Sequence, residues 1–144
     1  MTRTTLLLIE PDARTRLARV SALQAHFDVA TLALGEETVR RVRKDRVSLV
    51  LLSLPRGTSA MEAALRTARV LKTDRRPPRV GLTDRWGRWD SPADRLELLG
   101  AEGYLAGDVS DAQLLAFARA VSQGGPTVMQ GELARGLLDR LLRR

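Results

Sequence analysis

Val47-Ser48-Leu49-Val50-Leu51-Leu52 is the stretch that decides the fold. It is one strand long and almost wholly apolar. A strand with one face in water alternates apolar and polar residues, and this one does not, so both of its faces must be covered. Leu6-Leu7-Leu8-Ile9 repeats the pattern near the N-terminus. Strands buried on both faces belong to parallel sheets with helices packed above and below.

The flanking sequence supplies those helices. Asp12 can cap a helix that follows it, in which Leu17, Val20, Leu23 and Phe27 recur at helical spacing. Residues 28–32 read as a second strand, and 35–45 as a helix with Val39 and Val42 inward. After the buried strand at 47–52, Pro55-Arg56-Gly57 is a loop. A helix over 60–72 carries Met61, Leu65, Ala68 and Leu71 on one side. Residues 79–83 are a fourth strand, and 92–99 a helix with Gly100 at its stop. Residues 104–106 are a fifth strand, and 111–122 a helix with Leu114, Leu115, Ala118 and Val121 inward. The expected fold is therefore α/β: five successive β-α units, a doubly wound parallel five-stranded sheet, and an extra C-terminal helix from about residue 130 to 142. Residues 1–124 form the domain, and 125–144 a linker and helix that begins at the Gly124-Gly125-Pro126 breaker. Such sheets place their sites at the C-terminal ends of the strands. Those ends are Glu10-Pro11-Asp12, Ser53, Thr83-Asp84 and Ala106-Gly107-Asp108.

The bulk numbers fit one soluble domain of 144 residues, with 44% hydrophobic and 28% charged residues. Cysteine is absent, which excludes a disulfide framework, a thiol nucleophile and a zinc–cysteine site. No apolar run is long enough for a membrane span or a signal peptide, so a cytoplasmic protein without membrane contact is expected. The net charge is +7, and the basic residues are 22 Arg against Lys44 and Lys72. Such a balance suits nucleic acid or an acidic partner, although the arginines are scattered and often sit beside acids.

At the strand ends the chain resembles the receiver domains of two-component response regulators, across about residues 4–122. The most specific piece is Gly100-Ala101-Glu102-Gly103-Tyr104-Leu105, which is similar to the family's Gly-Ala-x-Gly-Tyr-Leu before its lysine. Leu7-Leu8-Ile9-Glu10, Leu49-Val50-Leu51-Leu52 and Gly81-Leu82-Thr83 match the first, third and fourth strands in order. The resemblance implies a flavodoxin-like fold, a phosphorylation pocket with a magnesium ion, and a signalling role.

The pocket departs from the family at the positions that matter. Ser53 stands where the phospho-accepting aspartate is expected, and a hydroxyl needs a base to activate it. Glu10 remains as one acid, Pro11 follows it, and Asp12 is displaced to a helix-capping position. Gly107 stands at the phosphate-pairing lysine, followed by Asp108 where a proline is expected. Thr83 and Tyr104 keep the two switch-type residues, although Thr83 can equally end a strand and Tyr104 pack its ring on the sheet edge. The vestigial pocket is thus Glu10, Pro11, Asp12, Ser53, Thr83 and Gly107, with no metal, no cofactor and no catalytic residue expected.

Two features are additions. The segment from Thr83 to Gly100 is longer than in the family and holds both tryptophans, Trp86 and Trp89. They either fold back over the pocket or face a partner, as Trp favours interfaces. The tail resembles the linker that precedes a LuxR-type helix-turn-helix domain, with Leu133, Leu137, Leu138 and Leu141 as an apolar stripe. The expected function is a phosphorylation-independent pseudo-receiver that is not an enzyme. It would act through a protein partner or as a homodimer, through the fourth helix, fifth strand and fifth helix around Trp86, Trp89, Tyr104 and Leu115. It would regulate transcription and meet DNA only indirectly. The alternative is a nucleic-acid-binding regulator using its basic surface and Arg135, Arg140, Arg143 and Arg144 of the tail. A third class, a small-ligand binder or enzyme reusing the pocket, has no nucleophile–base pair or glycine-rich phosphate loop behind it.

Overall fold

The computed structural model of the chain describes residues 3–130. Strands β1 (Thr5–Ile9), β2 (Asp28–Thr31), β3 (Leu49–Ser53), β4 (Arg79–Asp84) and β5 (Gly103–Ala106) alternate with helices α1 (Ala13–Leu23), α2 (Glu36–Lys44), α3 (Thr58–Leu71), α4 (Pro92–Leu99) and α5 (Asp111–Ser122). A sixth strand, β6 (Thr127–Gln130), follows α5. The sheet order is β2-β1-β3-β4-β5-β6, and every neighbouring pair is parallel.

The apolar runs bury both faces, as their composition requires. Leu7, Ile9, Val50, Leu52, Val80 and Leu82 meet α3 and α4 through Ala64, Ala68, Leu71, Leu96 and Leu99. Leu6, Leu8, Leu49 and Leu51 point the other way, toward Leu23, Leu114, Phe117 and Val121 of α1 and α5. The alternation along each strand thus divides one hydrophobic segment between two cores.

Three expectations need correction. The sheet has six strands where five were expected, and β6 pairs with β5 inside the segment read as a linker. The Gly124-Gly125-Pro126 breaker hides a four-residue strand, too short for a period-2 signal; Met129 packs inward and Val128 stays out. Residues 127–130 of that segment therefore belong to the sheet. Leu17 was placed in the buried stripe of α1 but is 72% exposed. Arg16 and Arg19, one and two residues from Leu17, turn inward instead, because their guanidiniums have partners at the strand ends. Leu115 is half-buried, and Phe117, which the helical spacing did not single out, is fully buried beside it. The expected C-terminal helix, its stripe at Leu133, Leu137, Leu138 and Leu141, and Arg135, Arg140, Arg143 and Arg144 lie outside the described residues. Among the described residues no helix is long and apolar enough to cross a membrane.

The ring of Phe117 explains a piece of the motif around Tyr104. A methyl at Gly103 would meet Val121 Cγ2 at 2.5 Å and Phe117 Cε1 at 2.9 Å, and one at Gly81 would meet Leu51 Cδ2 at 2.9 Å. Two adjacent strands thus lack side chains where α5 presses its aromatic ring onto the sheet. Gly103→Ala is expected to cost about 1–3 kcal/mol by overpacking. Gly57→Ala, at an open helix cap, should stay within about 1 kcal/mol of the parent. Urea unfolding of the two variants checks the difference.

Candidate functional site

Strand register builds the site. Ile9 lies opposite Leu52, and Ser53 opposite Thr83, so β1, β3 and β4 end together and deliver Glu10, Ser53 and Thr83 side by side. Ser53 Oγ donates to Glu10 Oε1 at 3.0 Å, and Thr83 Oγ1 donates to Ser53 Oγ at 3.1 Å. Into this row comes Arg19 of α1. Its Nη1 donates to Ser53 Oγ at 2.8 Å and to Thr83 Oγ1 at 3.0 Å, and lies 3.4 Å from Glu10 Oε1. The two charged side chains are only 14% and 9% exposed. Burial lowers the Arg19 pKa from its ordinary value, against the pull of Glu10 and Asp108, but a guanidinium stays charged near neutrality. Arg16 Nη1 donates to the Glu10 carbonyl at 3.0 Å and holds the same strand end from outside.

The other expected residues fall around this row. Asp12 is the cap of α1: its Oδ2 accepts from Thr15 N at 2.8 Å and Thr15 Oγ1 at 2.7 Å. Those bonds hold its carboxyl below the usual 3.8. Pro11 is exposed between the two acids, and Glu10 Oε2 accepts the Asp12 N–H at 3.1 Å. Together they line a cavity of about 310 Å³ whose far wall includes Arg56, Arg85, Trp86 and Asp108. Gly107 has φ +83°, a conformation that suits glycine, and its N–H donates to the Asp84 carbonyl at 2.8 Å. Its contribution is backbone geometry, without charge.

Asp84 was named among the strand ends but given no role by the sequence. It ends β4 fully buried. Its carboxylate accepts from Tyr104 Oη at 2.7 Å, from Arg88 N at 2.9 Å and from Trp86 N at 3.2 Å, with Arg88 Nε at 3.2 Å. Burial alone would raise its pKa, but these donors outweigh it and leave the carboxyl below the usual 3.8. The bonds therefore stabilise the fold above pH 3.8, and that stability is lost as pH falls through the depressed value. The loop after β4 is wound around this one side chain. The two tryptophans part company there. Trp89 stacks on Tyr104 with ring centroids 4.7 Å apart and planes 8° from parallel, and donates its backbone N–H to Tyr104 Oη at 3.4 Å. Trp86 remains 46% exposed at the cavity, with the Arg88 guanidinium 5.2 Å from its ring centre. Tyr104 itself is 1% exposed. An Asp four residues before an Arg, in a loop otherwise rich in Trp and Gly, was the available signal for this hub.

Solved structures share the arrangement of strands and helices. The signal receiver domain assigned to a Luxo repressor protein of Vibrio parahaemolyticus superposes with a TM-score of 0.69 at 16% identity, over 99% of both chains. The chain has the fold of response-regulator receiver domains. A response regulator of Thermotoga maritima gives a TM-score of 0.72 at 17% identity, covering 85% of this chain and 100% of that one. A DNA-binding response regulator of the LuxR family from Staphylococcus aureus gives 0.63 at 17%, covering 83% and 98%. The sequence matches no protein-family model and no curated protein. At these identities the receiver fold is what the likeness carries, and the site rests on its own geometry.

The chain has a single tyrosine, so the alkaline rise in ultraviolet absorbance that marks tyrosinate reports Tyr104 alone. Burial first, and the Asp84 carboxylate second, push its hydroxyl well above the ordinary 10.0. The Tyr104–Asp84 bond thus stabilises the fold below pH 10.0 and is lost as pH rises through the raised value. Folded protein is expected to show no tyrosinate band at pH 10, whereas urea-unfolded protein is half ionised there. Equal titration midpoints would contradict the buried bond.

Proposed function

We propose that this chain is a receiver-fold signalling module whose output does not depend on phosphorylation. The observation that carries this reading is the guanidinium of Arg19 seated among Glu10, Ser53 and Thr83. Phosphoryl transfer needs positioned charge, a metal and an activated nucleophile. Ser53 offers a hydroxyl whose hydrogen bonds are already made to Glu10, Arg19 and Thr83. A magnesium ion wants several oxygen ligands. Here the one central carboxylate faces a guanidinium, and Asp12 is engaged at its helix cap. Among the described residues no group of three or more His, Cys, Asp or Glu could hold a metal. The magnesium that the receiver resemblance implies does not fit these residues.

The module then acts by contact, without catalysis. We infer a contact surface on α4, β5 and α5. Trp86 and Leu98 are its exposed large apolar residues, 46% and 78% exposed. Leu115 is half-buried, and Tyr104 and Trp89 support the surface from beneath. β6 covers the outer edge of β5 and is itself the edge strand of the sheet among the described residues, so a partner at this side meets β6 first. The partner is a second copy or another protein, and the output is transcription regulation, with DNA sequence read through the partner or an effector segment. The LuxR-family neighbour supports that context.

Beryllofluoride, a phosphoryl mimic, tests the reading. With magnesium present, tryptophan fluorescence is expected to stay flat across the titration, since Trp86 lines the cavity. A stoichiometric, saturable change that disappears in Glu10→Ala would overturn it.

A further inference from the structure

At the opposite end of the sheet lies a larger cleft of about 960 Å³, between the loop that joins α2 to β3 and the loop that joins α3 to β4. Arg43, Arg46, Arg75, Arg76 and Arg79 line it, with Asp74 as its one acid. Asp74 is occupied by Arg43, whose Nε lies 2.9 Å from Oδ2. Arg46, Arg75, Arg76 and Arg79 are exposed and make no side-chain ion pair among the described residues. Arg46, Arg75 and Arg76 thus border one open cleft without an acid of their own, while the Arg79 guanidinium lies against Gly124.

Arg46 adds a second observation. It follows the C-cap of α2 at φ +51°, and Val47 N donates back to the Val42 carbonyl at 3.0 Å. That helix-ending turn favours glycine at the left-handed position. An arginine is held there at a conformational cost and points a cation at the cleft.

We propose that this cleft binds the sugar–phosphate backbone of nucleic acid. The planar guanidinium fork pairs with phosphate in two-bond geometry, and the net charge of +7 draws a polyanion in from a distance. No aromatic side chain lines the cleft, so bases have no stacking platform and recognition is of phosphates, without sequence preference. The apolar lining is confined to Val42 and Val47, both buried, and Pro77, which leaves nothing to insert into a membrane. This site is separate from the strand-end pocket and from the tail arginines, and it stands or falls independently of phosphorylation.

Fluorescence anisotropy with a fluorescein-labelled duplex of mixed sequence tests it. Binding is expected to weaken with salt at a log–log slope of about −2.7, as for three phosphate contacts. The double variant Arg75→Ala/Arg76→Ala should weaken binding about tenfold at low salt and bring the slope to about −1. Arg56→Ala/Arg85→Ala removes the same charge at the far end of the sheet and should leave affinity within about twofold of the parent. Arg46→Gly should melt no lower than the parent and still bind more weakly, which separates loss of contact from loss of fold. No binding at low salt, equal losses in the two double variants, or tighter binding of a polyglutamate peptide or anionic vesicles than of the duplex would overturn the proposal.

Discussion

A buried carboxylate at the end of a strand has to be answered by a cation, and in this protein the answer comes from its own first helix. Glu10 is carried to the strand ends by the apolar run that makes β1 a central strand, so its position follows from the core. Left alone there it would cost several kcal/mol or give up its charge. Arg19 answers it, and the hydroxyls of Ser53 and Thr83 share the same guanidinium nitrogen. Hydrogen bonds to a charged group contribute about 1.5–3 kcal/mol, a sizeable part of a domain stability of about 5–15 kcal/mol. The ends of β1, β3 and β4 and the face of α1 are therefore tied by one side chain. The pocket is part of the structural frame.

The second acid at these strand ends follows the same logic with different donors. Asp84 is satisfied by Tyr104, by two backbone N–H groups and by Arg88, and the loop carrying both tryptophans is shaped by those bonds. Trp89 is drawn inward onto Tyr104 while Trp86 stays at the surface. Gly107 closes the same loop through the Asp84 carbonyl. Each acid that could have served a metal or a phosphate is thus engaged within the chain. The side chains left with unmet capacity are on the outside: Trp86 and Leu98 toward a protein, and the arginine cleft toward phosphates.

The fold was legible because its strands are continuous apolar runs. Leu6–Ile9 and Leu49–Leu52 admit one environment, and the helices between them carry their own punctuation in Asp12, Pro92 and Gly100. The vestigial residues were also placed at the strand ends where register then aligned them. What escaped reading did so for separate physical reasons. Helical periodicity counts arginine as an outward residue, so Arg19 was invisible and Leu17 was credited with its place. Asp84 was invisible because a lone acid after a strand reads as a turn, and its four donors come from a loop and a neighbouring strand. β6 is too short to announce itself, and Phe117 is legible only once Gly81 and Gly103 are seen to make room for its ring.

A receiver fold with an internal cation differs from a working switch in what it can be asked to do. A switch needs a pocket whose charge balance changes on modification, and on the proposed reading the balance is reached here without modification. The central claim is energetic coupling between Arg19 and Glu10. A double-mutant cycle with Arg19→Met and Glu10→Gln, measured by urea unfolding near neutral pH, reads that coupling directly. A coupling of about 1.5–3 kcal/mol is predicted. A coupling below about 0.5 kcal/mol, the level of an exposed pair, would contradict the account.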